Sequence, residues 1–163
     1  MNLMLESTTD RPEVAFTAGD IVIAEGVEPG RILVLVSGSV TVERDDVPFA
    51  RIDTPGAVFG EMSAVLEKPA TATVRAATDT VMRVVDDPIA FLTAQPGVAL
   101  HVLRTTAMRL DGLTQYLVDV KQQFQDLDGH LGMVGGILDT LVHHQGRPAQ
   151  PGSARDPEGS HQH

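Results

Sequence analysis

The chain has 163 residues, 42% of them hydrophobic and 4% aromatic, enough for an aliphatic core and too many for wholesale disorder. It has no cysteine, which excludes disulfides, thiol catalysis and cysteine-ligated zinc. With 12 Lys and Arg against 22 Asp and Glu, its net charge of −10 repels phosphate backbones and disfavours nucleic-acid binding.

Residues 1–15 read as an N-terminal extension. The opening MNLMLESTTD has neither a basic region nor a long apolar one, so no signal peptide is expected. No apolar run reaches ~18 residues, so no membrane span is expected either, and the expected location is the cytoplasm. Up to Pro96-Gly97 the chain holds 14 Val and 6 Leu, a balance that favours strands. Turn residues interrupt it at Ala18-Gly19-Asp20, Glu28-Pro29-Gly30, Ser37-Gly38, Asp45-Asp46 and Thr54-Pro55-Gly56, the punctuation of an all-β barrel or sandwich. Strands are expected at 21–24, 32–37, 39–44, 50–53, 72–76 and 81–86. Val40 and Val42 alternate with polar neighbours, whereas Ile32–Val36 is continuous and reads as buried on both faces.

A short helix interrupts the strands at FGEMSAVLEKP, residues 59–69. Met62, Val65 and Leu66 share one face of it, and Pro69 stops it. A second short helix is expected at Pro88–Ala94, with Pro88 in its first turn. The adjacent pairs Asp45-Asp46 and Asp86-Asp87 read as solvated turns, because neighbouring residues on extended chain point apart.

Leucine then overtakes valine. Leu110, Leu113, Leu117, Val120, Phe124, Leu127, Leu131, Val134, Leu138 and Leu141 alternate in steps of 3 and 4. That 3.5-residue repeat predicts a coiled-coil seam on a long helix over 98–143, and hence a homodimer. The alternative is a helix packed on its own β domain, but 46 residues of helix run on the order of 65 Å, beyond a small barrel. Gly129, Gly132, Gly135 and Gly136 each cost a helix about 1 kcal/mol, so it either breaks near Gly129 or uses small residues for close backbone approach. Residues 144–163 are rich in Pro, Gly and Ser and read as a disordered tail.

All six histidines, from His101 onward, lie outside the β region, so neither a histidine metal cluster nor a Ser-His-Asp triad fits there. No nucleophile-base pair is visible, and no enzyme or metal site is expected. Residues 56–74, GAVFGEMSAVLEKPATATV, are the informative stretch. A glycine turn leads into a short helix whose N-terminal amides suit an anion, and Glu61 in its first turn suits a diol such as a ribose. An acid near a helix N-terminus is also favourable by itself.

From Phe16 to about Leu113 the chain resembles the cyclic nucleotide-binding domain, over about 98 of the 163 residues. The resemblance rests on Phe16-Thr17-Ala18-Gly19-Asp20, on Leu35-Val36-Ser37-Gly38-Ser39-Val40-Thr41-Val42, on Gly56-x-x-Phe59-Gly60-Glu61 and on Pro69-Ala70-Thr71-Ala72-Thr73-Val74. Phe91, Pro96 and Arg109-Leu110 continue it. It implies an α+β, mainly β fold: a β-roll or jelly-roll barrel with a short cassette helix, followed by a long C-terminal helix, the domain covering 16–113.

The resemblance further implies a ligand site at Phe59, Gly60, Glu61, Met62, Ser63, Ala64, Ala70, Thr71 and Thr114. Gly60 and Glu61 match residues that hold the ribose 2′-OH. The amides near Ser63 and Ala64 match those facing the cyclic phosphate, and Thr71 matches a phosphate or guanine contact. Thr114 lies near where some relatives cap the base. Where the family normally has an arginine paired with the phosphate, this chain has Ala70. An Arg–phosphate bond of roughly 1.5–3 kcal/mol corresponds to about 10- to 150-fold in affinity. Arg75 is no obvious substitute, five positions along a strand and on its other face. Transcription-factor relatives carry a helix-turn-helix next, whereas no recognition helix is expected in the 20 residues after 143. The expected function is a non-enzymatic, homodimeric sensor of cAMP or cGMP without another cofactor. The alternative is a ligand-independent dimeric adaptor with a protein partner.

Overall fold

A run of four consecutive buried apolar residues, Ile32 to Leu35, lies within the first unit of a computed structural model that describes residues 2–124 and 130–143. Successive strand side chains point to opposite faces, so such a run needs cover on both. Leu33 and Leu35 enter one buried cluster with Val22, Ile23, Phe59 and Met82. Ile32 and Val34 enter a second with Met4, Val58, Phe91 and Val98.

Among the described residues the elements are α1 (Leu3–Ser7), β1 (Glu13–Phe16), β2 (Ile21–Ile23), β3 (Ile32–Ser37), β4 (Val40–Arg44), β5 (Val47–Ile52), β6 (Val58–Phe59), α2 (Glu61–Leu66), β7 (Thr73–Ala76), β8 (Thr80–Val85), α3 (Pro88–Ala94), α4 (Pro96–Gln123) and α5 (His130–His143). The strands form two four-stranded sheets, ordered β1-β8-β3-β6 and β2-β7-β4-β5, with every pairing antiparallel. The first cluster draws on both sheets. The jelly-roll expectation is met as an open sandwich rather than a closed barrel, since β1, β6, β2 and β5 remain edges.

Local chemistry explains the turns. Asp45 and Asp46 both have positive φ, 50° and 62°, between the paired residues Arg44 and Val47. Two such residues in sequence form the tight hairpin turn whose twist matches the strands it joins. Asp87 caps α3 by accepting from the Ala90 N–H at 3.1 Å, and Pro88 occupies the first turn where no N–H is needed.

The segment 1–15 is built into the first unit. Met4 is 0% exposed in the second cluster, and Thr8 Oγ1 donates to the Met4 carbonyl at 2.7 Å. Glu13 pairs with Arg83 across β1 and β8, and Arg83 Nη1 also reaches the Leu5 carbonyl at 2.7 Å. Asn2 caps α1 by accepting from the Met4 and Leu5 N–H groups, while its Nδ2 donates to the Pro55 carbonyl at 2.8 Å. Replacing Asn2 by alanine removes the cap and the bridge, and is expected to lower stability by about 1–2 kcal/mol. Denaturant unfolding checks this as a lower midpoint at unchanged slope.

The chain divides into two compact units, Met1–Thr105 and Thr106 onward. In the second unit the helical stretch is interrupted, α4 ending at Gln123 and α5 starting at His130. Gly129, where a break was expected, lies outside the described residues, and Gly132, Gly135 and Gly136 lie within α5. A Cβ built on Gly135 would lie 3.6 Å from Lys121 Nζ. In one straight helix those positions would be roughly 21 Å apart. Thus α5 turns back toward the end of α4. On α4, Leu113 and Phe124 are 51% and 46% exposed, and Leu110, Leu117 and Val120 are partly buried. Leu127 lies outside the described residues, as does the side chain of Leu131. None of the described helices is long and apolar enough to cross a membrane.

Candidate ligand-binding site

The turn at 54–57 feeds the site. The Gly56 N–H donates to the Leu35 carbonyl at 2.7 Å, and the Leu35 N–H donates to the Ala57 carbonyl at 2.9 Å. The chain enters β6, where Phe59 pairs with Leu33 and is buried. Gly60 then adopts φ +83°, and a Cβ there would stand 2.6 Å from the Arg31 carbonyl oxygen. Only glycine fits that left-handed, crowded position. It reverses the chain from strand to helix without a side-chain cap, and Glu61 opens α2 at 6% exposure.

The rest of α2 is amphipathic in an inverted sense. Met62, Val65 and Leu66 share one face, as expected, and all three are exposed. Ser63 and Ala64 lie on the other face and are partly buried. The helix closes where Glu67, at φ +52°, caps it by donating its N–H to the Ser63 carbonyl.

Ala70 is 8% exposed, and its methyl belongs to the first core cluster along with Ile23 and Phe59. Its backbone is held by two exchanges with the loop after β2. The Ala70 N–H donates to the Val27 carbonyl at 3.0 Å, and its carbonyl accepts from the Gly26 N–H at 2.8 Å. Ile23, of the same cluster, has its Cδ1 3.6 Å from where a Cβ on Gly60 would stand. Thr71 is exposed. Phe59 to Ala64 therefore gather at the start of α2, with Ala70 anchored behind them. Thr114 belongs to the second unit, where its hydroxyl donates to the Leu110 carbonyl at 2.9 Å.

Position 70 supplies no cation, and Arg75 is engaged elsewhere. Its Nε and Nη2 both donate to Glu43 Oε1, at 3.0 and 2.8 Å, and its Nη1 donates to the Gly19 carbonyl at 3.0 Å. Val74 and Ala76 point inward on either side of it, as strand alternation requires.

A groove of about 520 Å³ runs along the Ser63 face of α2. Ser63, Ala64, Glu67 and Ile89 line it together with Glu28 and Pro88. Of these, sequence reasoning had singled out only Ser63 and Ala64 as ligand contacts. The others come from separate segments, and no local pattern marks them. Among the described residues no three metal-ligating side chains converge.

The model of the cyclic nucleotide-binding domain family matches residues 13–88. The chain is similar to a mutant of the cAMP-binding acyltransferase from Mycobacterium smegmatis, at 27% identity and TM-score 0.54 over 67% of this chain. That match spans only 36% of the acyltransferase. It is also similar to the N-terminal domain of a transcriptional regulator from Streptomyces coelicolor, at 27% identity and TM-score 0.51, covering 76% of this chain and 85% of that one. The regulatory subunit of a cAMP-independent protein kinase A from Trypanosoma brucei, at 23% identity and TM-score 0.53, shares the fold over 64% of this chain and 43% of its own. No curated protein matches the chain.

Proposed function

Because residues 13–88 belong to the cyclic nucleotide-binding domain family, we propose that this chain is a regulatory module that senses cAMP or cGMP and dimerises through α4. It has no catalytic activity of its own and no other cofactor, and it acts in the cytoplasm through a protein partner rather than nucleic acid. The observation that carries this reading is the Phe59-Gly60-Glu61 passage. A buried strand end, a glycine-only reversal and a buried carboxylate open a short helix.

In the proposed complex Glu61 accepts from the ribose 2′-OH, and the amides near Ser63 and Ala64 face the cyclic phosphate. Met62 and Thr71 border the ligand. Ala70 contributes no charge to the phosphate, so affinity is low for the family. Ligand binding biases the helical unit, and the dimer seam passes that bias to the partner chain. This requires unequal affinity for two helix positions.

Replacing Glu61 by alanine is expected to weaken cAMP or cGMP binding at least about tenfold, the size of a hydrogen bond to a charged group. Displacement of a fluorescent cyclic nucleotide measures it, with circular dichroism to confirm that the variant folds. Unchanged affinity contradicts the ribose role. One observation favours a second reading, a ligand-independent adaptor. The Ala70 methyl is packed into the core cluster, where a phosphate-binding arginine would have to point outward. In that reading no cyclic nucleotide binds and the fold serves only as a docking body.

A further inference from the structure

We infer that the groove between α2 and α3 receives a basic segment of a partner protein, an arginine or lysine side chain next to an apolar residue. This goes beyond the nucleotide reading and stands on different side chains. Of the proposed nucleotide contacts, only Ser63 and Ala64 border the groove.

The charged groups in its lining are Glu28, from the loop after β2, and Glu67, at the end of α2, and no cation lines it. The carbonyl end of α2 adds negative potential beside Glu67. Beside Glu67, at the end of α2 away from its N-terminus, a cation is therefore favoured over an anion. A bare metal ion is not held, because no three ligating side chains converge among the described residues. The remainder of the lining includes Pro88 and Ile89, the latter 52% exposed.

A guanidinium or ammonium head can meet the two carboxylates while its stem and an apolar neighbour rest on Pro88 and Ile89. A cavity of about 520 Å³ has room for both. The wider field agrees in sign: residues 1–97 carry 15 acidic and 7 basic side chains, a net of −8, which steers a basic segment toward this unit.

The test uses the full chain and a fluorescein-labelled peptide, acetyl-Leu-Arg-Arg-Leu-amide, followed by anisotropy. Glu28 and Glu67 are both exposed, so the double variant Glu28→Gln, Glu67→Gln keeps the fold, which circular dichroism checks. The expected result is saturable binding to the native chain that weakens about two- to thirtyfold in the double variant, the size of two exposed charge pairs. Ile89→Ser should also weaken it, by a factor of about three or more, through lost stem contact. Equal affinity in the double variant, no binding to the native chain, or full displacement by spermidine at the peptide's own concentration each overturns the proposal. The last result would mean that charge alone is recognised. Cyclic-nucleotide binding measured on the same double variant is expected to be unchanged, which separates failure here from failure of the nucleotide reading.

Discussion

Replacing Leu113 and Leu117 by aspartate is expected to raise the dissociation constant of the proposed homodimer about a thousandfold or more. The two leucines sit mid-seam on α4, Leu113 exposed and Leu117 partly buried in the single chain. Burying a leucine fully is worth roughly 1.5–3 kcal/mol, and a two-fold dimer loses each one twice. Leu117 is already partly covered, so the gain available there is smaller, yet about 4 kcal/mol in all is already a thousandfold. The buried aspartates add a desolvation cost. Sedimentation equilibrium over a dilution series measures the effect. The turn back of α5 toward α4 supplies the competing cover, for Gly135 lies beside Lys121. A native chain that sediments as a monomer at all concentrations means that α5 satisfies the stripe within one chain, and the dimer reading fails.

The second large effect is a gain. Ala70→Arg is expected to tighten cAMP or cGMP binding about 10- to 150-fold, the value of one charge-assisted contact to phosphate. The backbone at position 70 is already fixed by its exchanges with Gly26 and Val27, so little ordering remains to oppose the new side chain. Its Cβ lies in the core cluster and stays there with the fixed backbone, so the added side chain must turn out of the core to reach the ligand, and crowding takes back part of the gain. Titration of the variant beside the native chain measures the ratio. Unchanged affinity, with the fold intact, would place the phosphate away from position 70.

Sequence patterns carried most of the sheet and little of the groove. Ile32 to Leu35 could be read as doubly buried because four apolar residues in succession admit no solvent face. The pair Asp45-Asp46 marked a turn, and only the positive φ of both residues shows which one. Pro88 opens α3 where no N–H is needed, whereas α2 closes at Glu67, before the expected stop at Pro69. By contrast α1 has five residues and β6 has two, too few to display a period of 3.6 or 2. Their anchors, Met4 in the second cluster and Phe59 opposite Leu33, depend on tertiary contact alone.

The same limit applies to the site. Phe59, Gly60 and Glu61 are adjacent in the chain, so their association was legible. The sequence pattern places Phe59 and Gly60 inside the helix over 59–69, whereas Phe59 ends β6 and Gly60 is the left-handed reversal before α2, a role that its crowding against the Arg31 carbonyl reveals only in the fold. Glu28, Glu67 and Ile89 meet from three segments, and nothing local links them. On the helical stretch the heptad pattern and the glycines gave opposite signals. Yet Gly132, Gly135 and Gly136 all lie within helix α5, so their cost did not prevent a helix there, while Gly129 lies outside the described residues.

The most direct measurement is a calorimetric titration of the nucleotide-stripped native chain with cAMP and with cGMP. The account predicts saturable binding of at least one of them, one per chain, weak for its family and further weakened in Glu61→Ala. Absence of heat up to millimolar concentrations of both, in the native chain and in Ala70→Arg alike, would contradict it.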